Sequence, residues 1–181
     1  GIAEQTALVE ASALAPVLHA RHFSLGAALM ERLVAAAAGA LDARSWDLEI
    51  VETHHRRKKD APSGTALAIG EAAAKARGSD LSQLAEFGRS GDSLHRRTGA
   101  IGFSAVRGGG VVGEHSAHFL HSFEELEIRH RALDRSIFAR GALEAARFVS
   151  GRAPGLYSMQ DVIAAGGALD AALAEHQNSS S

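Results

Sequence analysis

The sequence predicts an α+β protein, built on a mixed and mostly antiparallel four-stranded sheet with helices packed on one face. Three observations favour this class. Alanine- and leucine-rich segments carry apolar residues at helical spacing, shorter segments alternate apolar and polar residues as strands do, and the last three strands are joined by connections rich in glycine or polar residues. With 46% hydrophobic and 22% charged residues, the 181-residue chain can bury a core of ordinary size.

Four helices are expected, at 3–14, 25–41, 65–76 and 136–150. Pro16 ends the first of them, and Ser24 is a suitable N-cap for the second. The expected strands lie at 16–20, 46–52, 101–107, 111–120 and 125–132. Glycine, serine and charged residues dominate 77–98, which predicts a long exposed segment, and 155–162 is expected to form a last short element.

Composition excludes several classes of function. The formal net charge is −2, which disfavours a protein built mainly to bind nucleic acid. The chain has no cysteine, so disulfides, thiolate metal sites and cysteine nucleophiles are excluded. No apolar run approaches the length of a membrane span, and the sequence shows no signal peptide. We therefore expect a cytoplasmic protein without membrane contact.

The run from Thr53 to Thr65 carries the chemistry that the sequence predicts. A strand ends there, two histidines and four cations follow, and a Pro-Ser-Gly-Thr turn opens a helix. Ser63 is a good N-cap, and the unpaired amides of the first helical turn bind carboxylate or phosphate well. Gly64 lets a ligand approach the backbone. His54 and Lys58, four residues apart, are candidate general acids beside this anion site.

Two other interpretations of this run stay open. Its four consecutive cations, residues 56–59, are also typical of a solvated loop or of a nucleic-acid contact. The scarcity of aromatic residues, 5%, and the acidic balance disfavour nucleic acid. The adjacent residues His54 and His55 suggest a metal site, but neighbours on an extended chain point in opposite directions and the surrounding cations would repel a metal ion. We predict no metal.

Two further motifs are weaker. The segment Gly113–His118 contains a glutamate and two histidines, but its surroundings predict a strand, and polar residues on one side of that strand explain it better than a zinc site. Residues 108–113 match the dinucleotide fingerprint G-x-G-x-x-G. Alternating strand residues follow where that fingerprint requires a helix, so a glycine turn in a hairpin is favoured.

The run His54–Lys58, followed by Asp60–Ala66, resembles the signature of the dihydrodipicolinate reductase family, the 4-hydroxy-tetrahydrodipicolinate reductases of bacterial lysine and diaminopimelate synthesis. Further matches extend the resemblance to about residue 162 and lie at 101–103, 106–107, 113–115, 138–139, 141–142 and 157–162. The resemblance implies an NADPH- or NADH-dependent oxidoreductase that delivers hydride to a cyclic unsaturated dicarboxylate.

The resemblance also implies roles for individual residues. His54 and Lys58 fall on the proton-donating positions of the family. His55, Gly64 and Thr65 fall on its substrate-binding positions, to which the capping argument adds Ser63. The segment 20–24 resembles the family's Ala-x-Asn-Phe-Ser, near the nicotinamide, with histidine in place of asparagine. The predicted cofactor contacts are therefore Ala20, Arg21, His22 and Phe23.

The family normally begins with a Rossmann domain whose glycine-rich loop holds the dinucleotide, and this sequence carries no such loop. We therefore expect residues 1–23 to be a remnant of the dinucleotide-binding domain and 24–135 to be the substrate-binding and oligomerisation domain. Residues 136–174 would form a helical segment that returns to the dinucleotide-binding domain, and 175–181 a disordered tail. The resemblance implies a homotetramer assembled through the sheets. The alternative is a non-catalytic dicarboxylate-binding module that has lost its nucleotide domain.

Overall fold

A computed structural model describes residues 2–92 and 94–166. The chain divides into two compact units, one formed by Gly1–Ala28 together with the chain from Ser136 onward, the other by Leu29–Arg135. The predicted domain boundaries of a longer protein stay a prediction. The predicted disordered tail, 175–181, lies outside the described residues.

The elements follow the predicted order, with small shifts at their ends. Along the chain they are α1 (Ile2–Leu14), β1 (Pro16–Leu18), α2 (Leu25–Ala40), β2 (Asp47–His54), α3 (Gly64–Ala76), α4 (Leu81–Leu84), β3 (Ala85–Phe87), β4 (Ile101–Arg107), β5 (Gly113–Leu120), β6 (Glu125–Ala132), α5 (Ser136–Val149), β7 (Gly155–Tyr157) and α6 (Met159–Ala165).

The Leu29–Arg135 unit is built on a five-stranded sheet in the order β3-β4-β2-β5-β6. β2 runs parallel to β4 and antiparallel to β5, β3 runs parallel to β4, and β6 runs antiparallel to β5. The α+β class and the mixed sheet are therefore confirmed. The sheet differs from the prediction in having five strands, and in dividing its pairs equally between parallel and antiparallel.

The additional strand β3 lies inside the segment that was expected to be exposed coil. It contains only three residues, too few to show a periodic pattern, and it occupies the edge of the sheet. Phe87 of β3 stacks on Phe103 of β4, with ring centroids 5.2 Å apart. This aromatic pair and the parallel ladder to β4 order a segment whose composition alone predicts coil.

The core of this unit follows from the alternation of β2. Every second residue of that strand is buried, and Leu48 and Ile50 pair with Phe119 and Ala117 of β5. Helices α2 and α3 supply the facing apolar residues, as their spacing predicts. The buried cluster comprises Met30, Val34, Ala38, Leu48, Ile50, Ala66, Ile69, Ala73, Ala74, Ile101, Phe103, Ala117 and Phe119.

The other unit contains a two-stranded parallel sheet, β1 with β7. Its small core contains Ala145 of α5 and Met159 and Val162 of α6. Gly141 lets α5 approach the chain closely, because a Cβ atom at that position would overlap the carbonyl oxygen of Phe23. Glycine is thus the residue that this packing requires.

Candidate active site

The predicted catalytic strand carries two kinds of residue on one face. Leu48 and Ile50 fill the core at its beginning, and Glu52 and His54 continue the same face at its end, because strand side chains repeat with a period of two. In the register of the sheet, Glu52 lies opposite His115 of β5, and His54 lies beside Arg107 of β4. Four polar side chains therefore meet where the apolar core ends.

Glu52 is the centre of this group and is 1% exposed. Its Oε1 accepts hydrogen bonds from Arg107 Nη2 at 2.6 Å and from the Ser63 amide at 3.0 Å. Its Oε2 accepts a hydrogen bond from Arg107 Nη1 at 2.8 Å and lies 2.5 Å from His54 Nδ1. One carboxylate therefore connects β2, β4 and the start of α3.

The hydrogen bonds of Glu52 determine whether its carboxyl group is ionised. Burial by itself raises the pKa of a carboxyl group, but the hydrogen bonds from His54 and Arg107 outweigh it and bring the pKa of Glu52 to about 2, from an ordinary 4.5. The same contact raises the pKa of the Arg107 guanidinium. Glu52 is consequently an anion throughout the physiological range.

His54 is held on both sides. Its ring meets that of His115 edge-on, with centroids 5.2 Å apart. A Cβ atom added at Gly113 would lie 3.0 Å from Nε2 of His54, which explains why a glycine stands at the start of β5. His54 keeps 9% of its surface exposed, so the ring is confined without being sealed from a ligand.

The glycine run after β4 lies directly against the histidine loop. The amide of Gly108 donates to the carbonyl of His54 at 3.0 Å, and the amide of Arg56 donates to the carbonyl of Gly109 at 3.3 Å. The expected hairpin is wrong, because β2 lies between β4 and β5 and the turn crosses over its end. Gly109 takes a φ of 51°, a backbone conformation that favours glycine.

The start of α3 forms the predicted capped helix end. Ser63 Oγ accepts a hydrogen bond from the Ala66 amide at 3.2 Å and lies 3.0 Å from His115 Nε2. A Cβ atom at Gly64 would meet nothing within 4 Å, so open space lies beside the first helical residue. Thr65 is half-buried next to it. This end of α3 can accept an anion at its amides.

Cations surround the second histidine of the motif. Partial burial, and then the charges of Arg135 and Arg57, lower the pKa of His55. Within the described part of the chain, its Nδ1 is buried without a hydrogen-bond partner. Lys58 forms an ion pair with Asp60 at 2.9 Å, and this contact lowers the pKa of Asp60. The loop thus concentrates positive charge beside the helix end.

The predicted site residues fall into two groups. Those of the loop and helix, which belong to the Leu29–Arg135 unit, are His54, His55, Lys58, Ser63, Gly64 and Thr65. The predicted cofactor residues belong to the other unit and follow the end of β1; they are Ala20, Arg21, His22 and Phe23. Their roles stay predictions.

Three residues of the network were missed by the sequence analysis, namely Glu52, Arg107 and His115. For Glu52 a signal existed, because it lies two residues before His54 on a strand and so shares its face. The expectation that the polar residues of 113–118 lie on one side of the strand holds for Glu114, Ser116 and His118, but it is wrong for His115, which lies on the buried side. Residues three apart on a strand face opposite sides, so His115 contacts Ser63, while His118 pairs with Glu125 at 2.7 Å.

Residues 2–92 and 94–166 contain no group of three or more histidine and carboxylate side chains placed to hold a metal ion. None of the helices in the same range is long and apolar enough to cross a bilayer.

The fold and the site define an α+β domain with a buried carboxylate–histidine pair beside a capped helix end and a cationic loop. Residues 26–163 match the family model described as dihydrodipicolinate reductase, C-terminus, and the chain belongs to this family. The match begins within α2 and ends within α6, so it includes the site residues of the histidine loop and of α3 but not the predicted cofactor residues at 20–23.

Individual relatives agree with this assignment. The chain is 50% identical over 161 residues to the 4-hydroxy-tetrahydrodipicolinate reductase of Caulobacter vibrioides, covering 88% of this chain and 63% of that protein. It is 53% identical over 149 residues to that of Cereibacter sphaeroides, covering 82% and 55%. The chain thus spans about three fifths of the length of these relatives.

A solved structure has a similar fold. The dipicolinate-bound dihydrodipicolinate reductase from Paenisporosarcina sp. TG-14 superimposes with a TM-score of 0.64 over 86% of this chain and 57% of that one. At 24% sequence identity this likeness supports the fold alone.

Proposed function

We propose that this chain is the substrate-binding part of a 4-hydroxy-tetrahydrodipicolinate reductase of lysine and diaminopimelate biosynthesis. One observation carries the proposal. A histidine held by a buried carboxylate lies in the same network as a helix end that faces open space, within the part of the family that the chain matches. A proton donor and a carboxylate site are the two functions that this half of such a reductase has to supply.

The proposed reaction requires a proton donor and a binding site for the substrate carboxylate. Replacing a hydroxyl group by hydrogen consumes a hydride and a proton and releases water. NADPH or NADH supplies the hydride when bound. In this proposal His54 and Lys58 provide the proton, and the amides of Gly64 and Thr65 bind a substrate carboxylate at the positive end of α3. His55 adds a donor among the cations of the loop.

The predicted cofactor residues fit a position near the nicotinamide. Ala20 to Phe23 form a loop after the carboxyl end of β1, which runs parallel to β7. Nucleotides bind parallel α/β sheets at the carboxyl ends of the strands. The bulk of the dinucleotide site would correspond to the part of the longer relatives that the match does not cover. We further propose a cytoplasmic location and a homotetramer formed through the sheet.

Calorimetric titration with pyridine-2,6-dicarboxylate, a stable planar analogue of the substrate, tests the proposal. We expect saturable binding to the folded chain, and weaker binding of pyridine-2-carboxylate, which lacks the second carboxylate. His54→Asn should retain part of the affinity, because the helix end remains. Failure of the folded chain to bind the dicarboxylate would contradict the proposed function, and equal affinity for both ligands would contradict recognition of two carboxylates.

A further inference from the structure

The buried carboxylate of Glu52 has four nitrogen atoms within hydrogen-bond distance. Arg107 supplies two of them, one to each oxygen, in a forked geometry that fits a planar carboxylate. The Ser63 amide adds a third donor at Oε1. His54 Nδ1, at 2.5 Å from Oε2, occupies the remaining direction. Each oxygen thus has two polar neighbours, and three of these four can only donate.

The donors around Glu52 determine which ring nitrogen of His54 carries a hydrogen. An ionised carboxylate accepts hydrogen bonds and cannot donate one. The forked Arg107 cation and the Ser63 amide, three obligate donors to Glu52, hold it in its ionised form, so it has no proton to give to His54. His54 must therefore carry a hydrogen on Nδ1, which leaves Nε2 as the nitrogen that can exchange a proton with a ligand.

We infer that Glu52 is a positioning residue, which fixes the ring of His54 with its hydrogen on Nδ1 and at the same time fixes the first turn of α3 through the Ser63 amide. A single side chain then sets the distance and orientation between the proton donor and the helix end. Arg107 holds Glu52 in place from β4. This inference rests on the proposed function for its catalytic meaning, but its structural content can be tested without a ligand.

Nitrogen-15 spectra of the histidine rings provide the test. In the unliganded chain labelled on histidine, we expect neutral His54 to favour the Nδ1–H tautomer by at least about tenfold, the ratio that about 1.4 kcal/mol of hydrogen bonding produces. The signals of His54 are assigned by their loss in His54→Asn. A predominant Nε2–H tautomer in the unaltered chain would overturn the inference, whatever the variants do.

Two variants on the same strand extend the test. Glu52→Gln keeps the shape but offers one acceptor oxygen and places an NH₂ group against donors, so the tautomer ratio of His54 should fall at least about fivefold. Glu49→Gln is the matched control, because Glu49 is likewise paired with arginine, in its case Arg89 and Arg96, but points to the opposite face of β2. It should leave the His54 signals unchanged.

The outcomes separate the positioning role from the proposed function. A changed tautomer in Glu52→Gln, with the Glu49→Gln signals unchanged, supports the inference. An unchanged tautomer in a folded Glu52→Gln overturns it. If the chain shows the Nδ1–H tautomer but does not bind pyridine-2,6-dicarboxylate, the proposed function fails while the positioning of His54 by Glu52 stands.

Discussion

Glu52→Gln is expected to remove part of the pH dependence of stability in the unit that contains it. Hydrogen bonds in the folded state hold the pKa of Glu52 at about 2, against an ordinary value of 4.5. Because the pKa is lower in the folded chain, ionised Glu52 stabilises the fold above pH 4.5, and this stabilisation is lost as the pH falls toward 2. At about 1.4 kcal/mol per pKa unit, it amounts to about 3 kcal/mol at pH 6 and about 1.4 kcal/mol at pH 3.

The single tryptophan, Trp46, provides the assay. It packs against the core of the Leu29–Arg135 unit, so its fluorescence reports the unfolding of that unit in urea. The free energy of unfolding of the unaltered chain minus that of Glu52→Gln should shrink by about 2 kcal/mol between pH 6 and pH 3. Carboxylates that do not contact Arg107 or His54 cancel in this difference. A difference that stays constant over that range would refute the reasoning, because it would mean that folding does not change the pKa of Glu52.

Three glycines provide further tests. Gly39→Ala in α2 is their common control, because its Cβ would make only ordinary contacts, with Ala76 of α3. Gly64→Ala should change the free energy of unfolding by less than about 1 kcal/mol, since its Cβ meets open space. It should nevertheless weaken dicarboxylate binding at least about tenfold in calorimetry. Unchanged affinity would mean that the ligand binds elsewhere. Gly141→Ala should destabilise its unit by about 1–3 kcal/mol in thermal unfolding followed by circular dichroism, and a neutral result would contradict the close packing of α5. Gly113→Ala should shift the ring nitrogen signals of His54; signals that stay in place would mean that the ring has room to move.

Local sequence was sufficient to predict the strand, the loop and the helix that carry the site. The alternation of β2 and the capping signal of Ser63 are each contained in fewer than ten residues, and the structure contains both. The position of His54 at the end of a strand follows from the same pattern. These features could be predicted because they depend on the period of the strand and on the hydrogen bonding of one turn.

The residues that complete the site could not be predicted in this way. Arg107 reaches Glu52 across 55 positions in sequence, and His115 reaches Ser63 across 52. Both contacts depend on the strand order β4-β2-β5, in which the turn after β4 crosses over β2. The expected hairpin would have paired β4 directly with β5, without β2 between them. Strand order is a property of the whole sheet, and no local pattern reports it.

The strand order also explains why charge can be buried here. β2 lies in the middle of the sheet, so that side chains at the end of its inner face are covered from β4 and β5 as well as by the start of α3. A carboxylate in that position is stable only if its neighbours supply donors, because burial alone disfavours the ion. Arg107 from one flank, the Ser63 amide from the helix and His54 from β2 itself supply them. The apolar residues earlier on the same face pack the strand against α2 and α3. This packing also fixes the position of the polar end of the strand. The strand and Glu52 together fix the ring of His54, and this is why we assign the positioning of His54 to Glu52 and not to the cationic loop that follows.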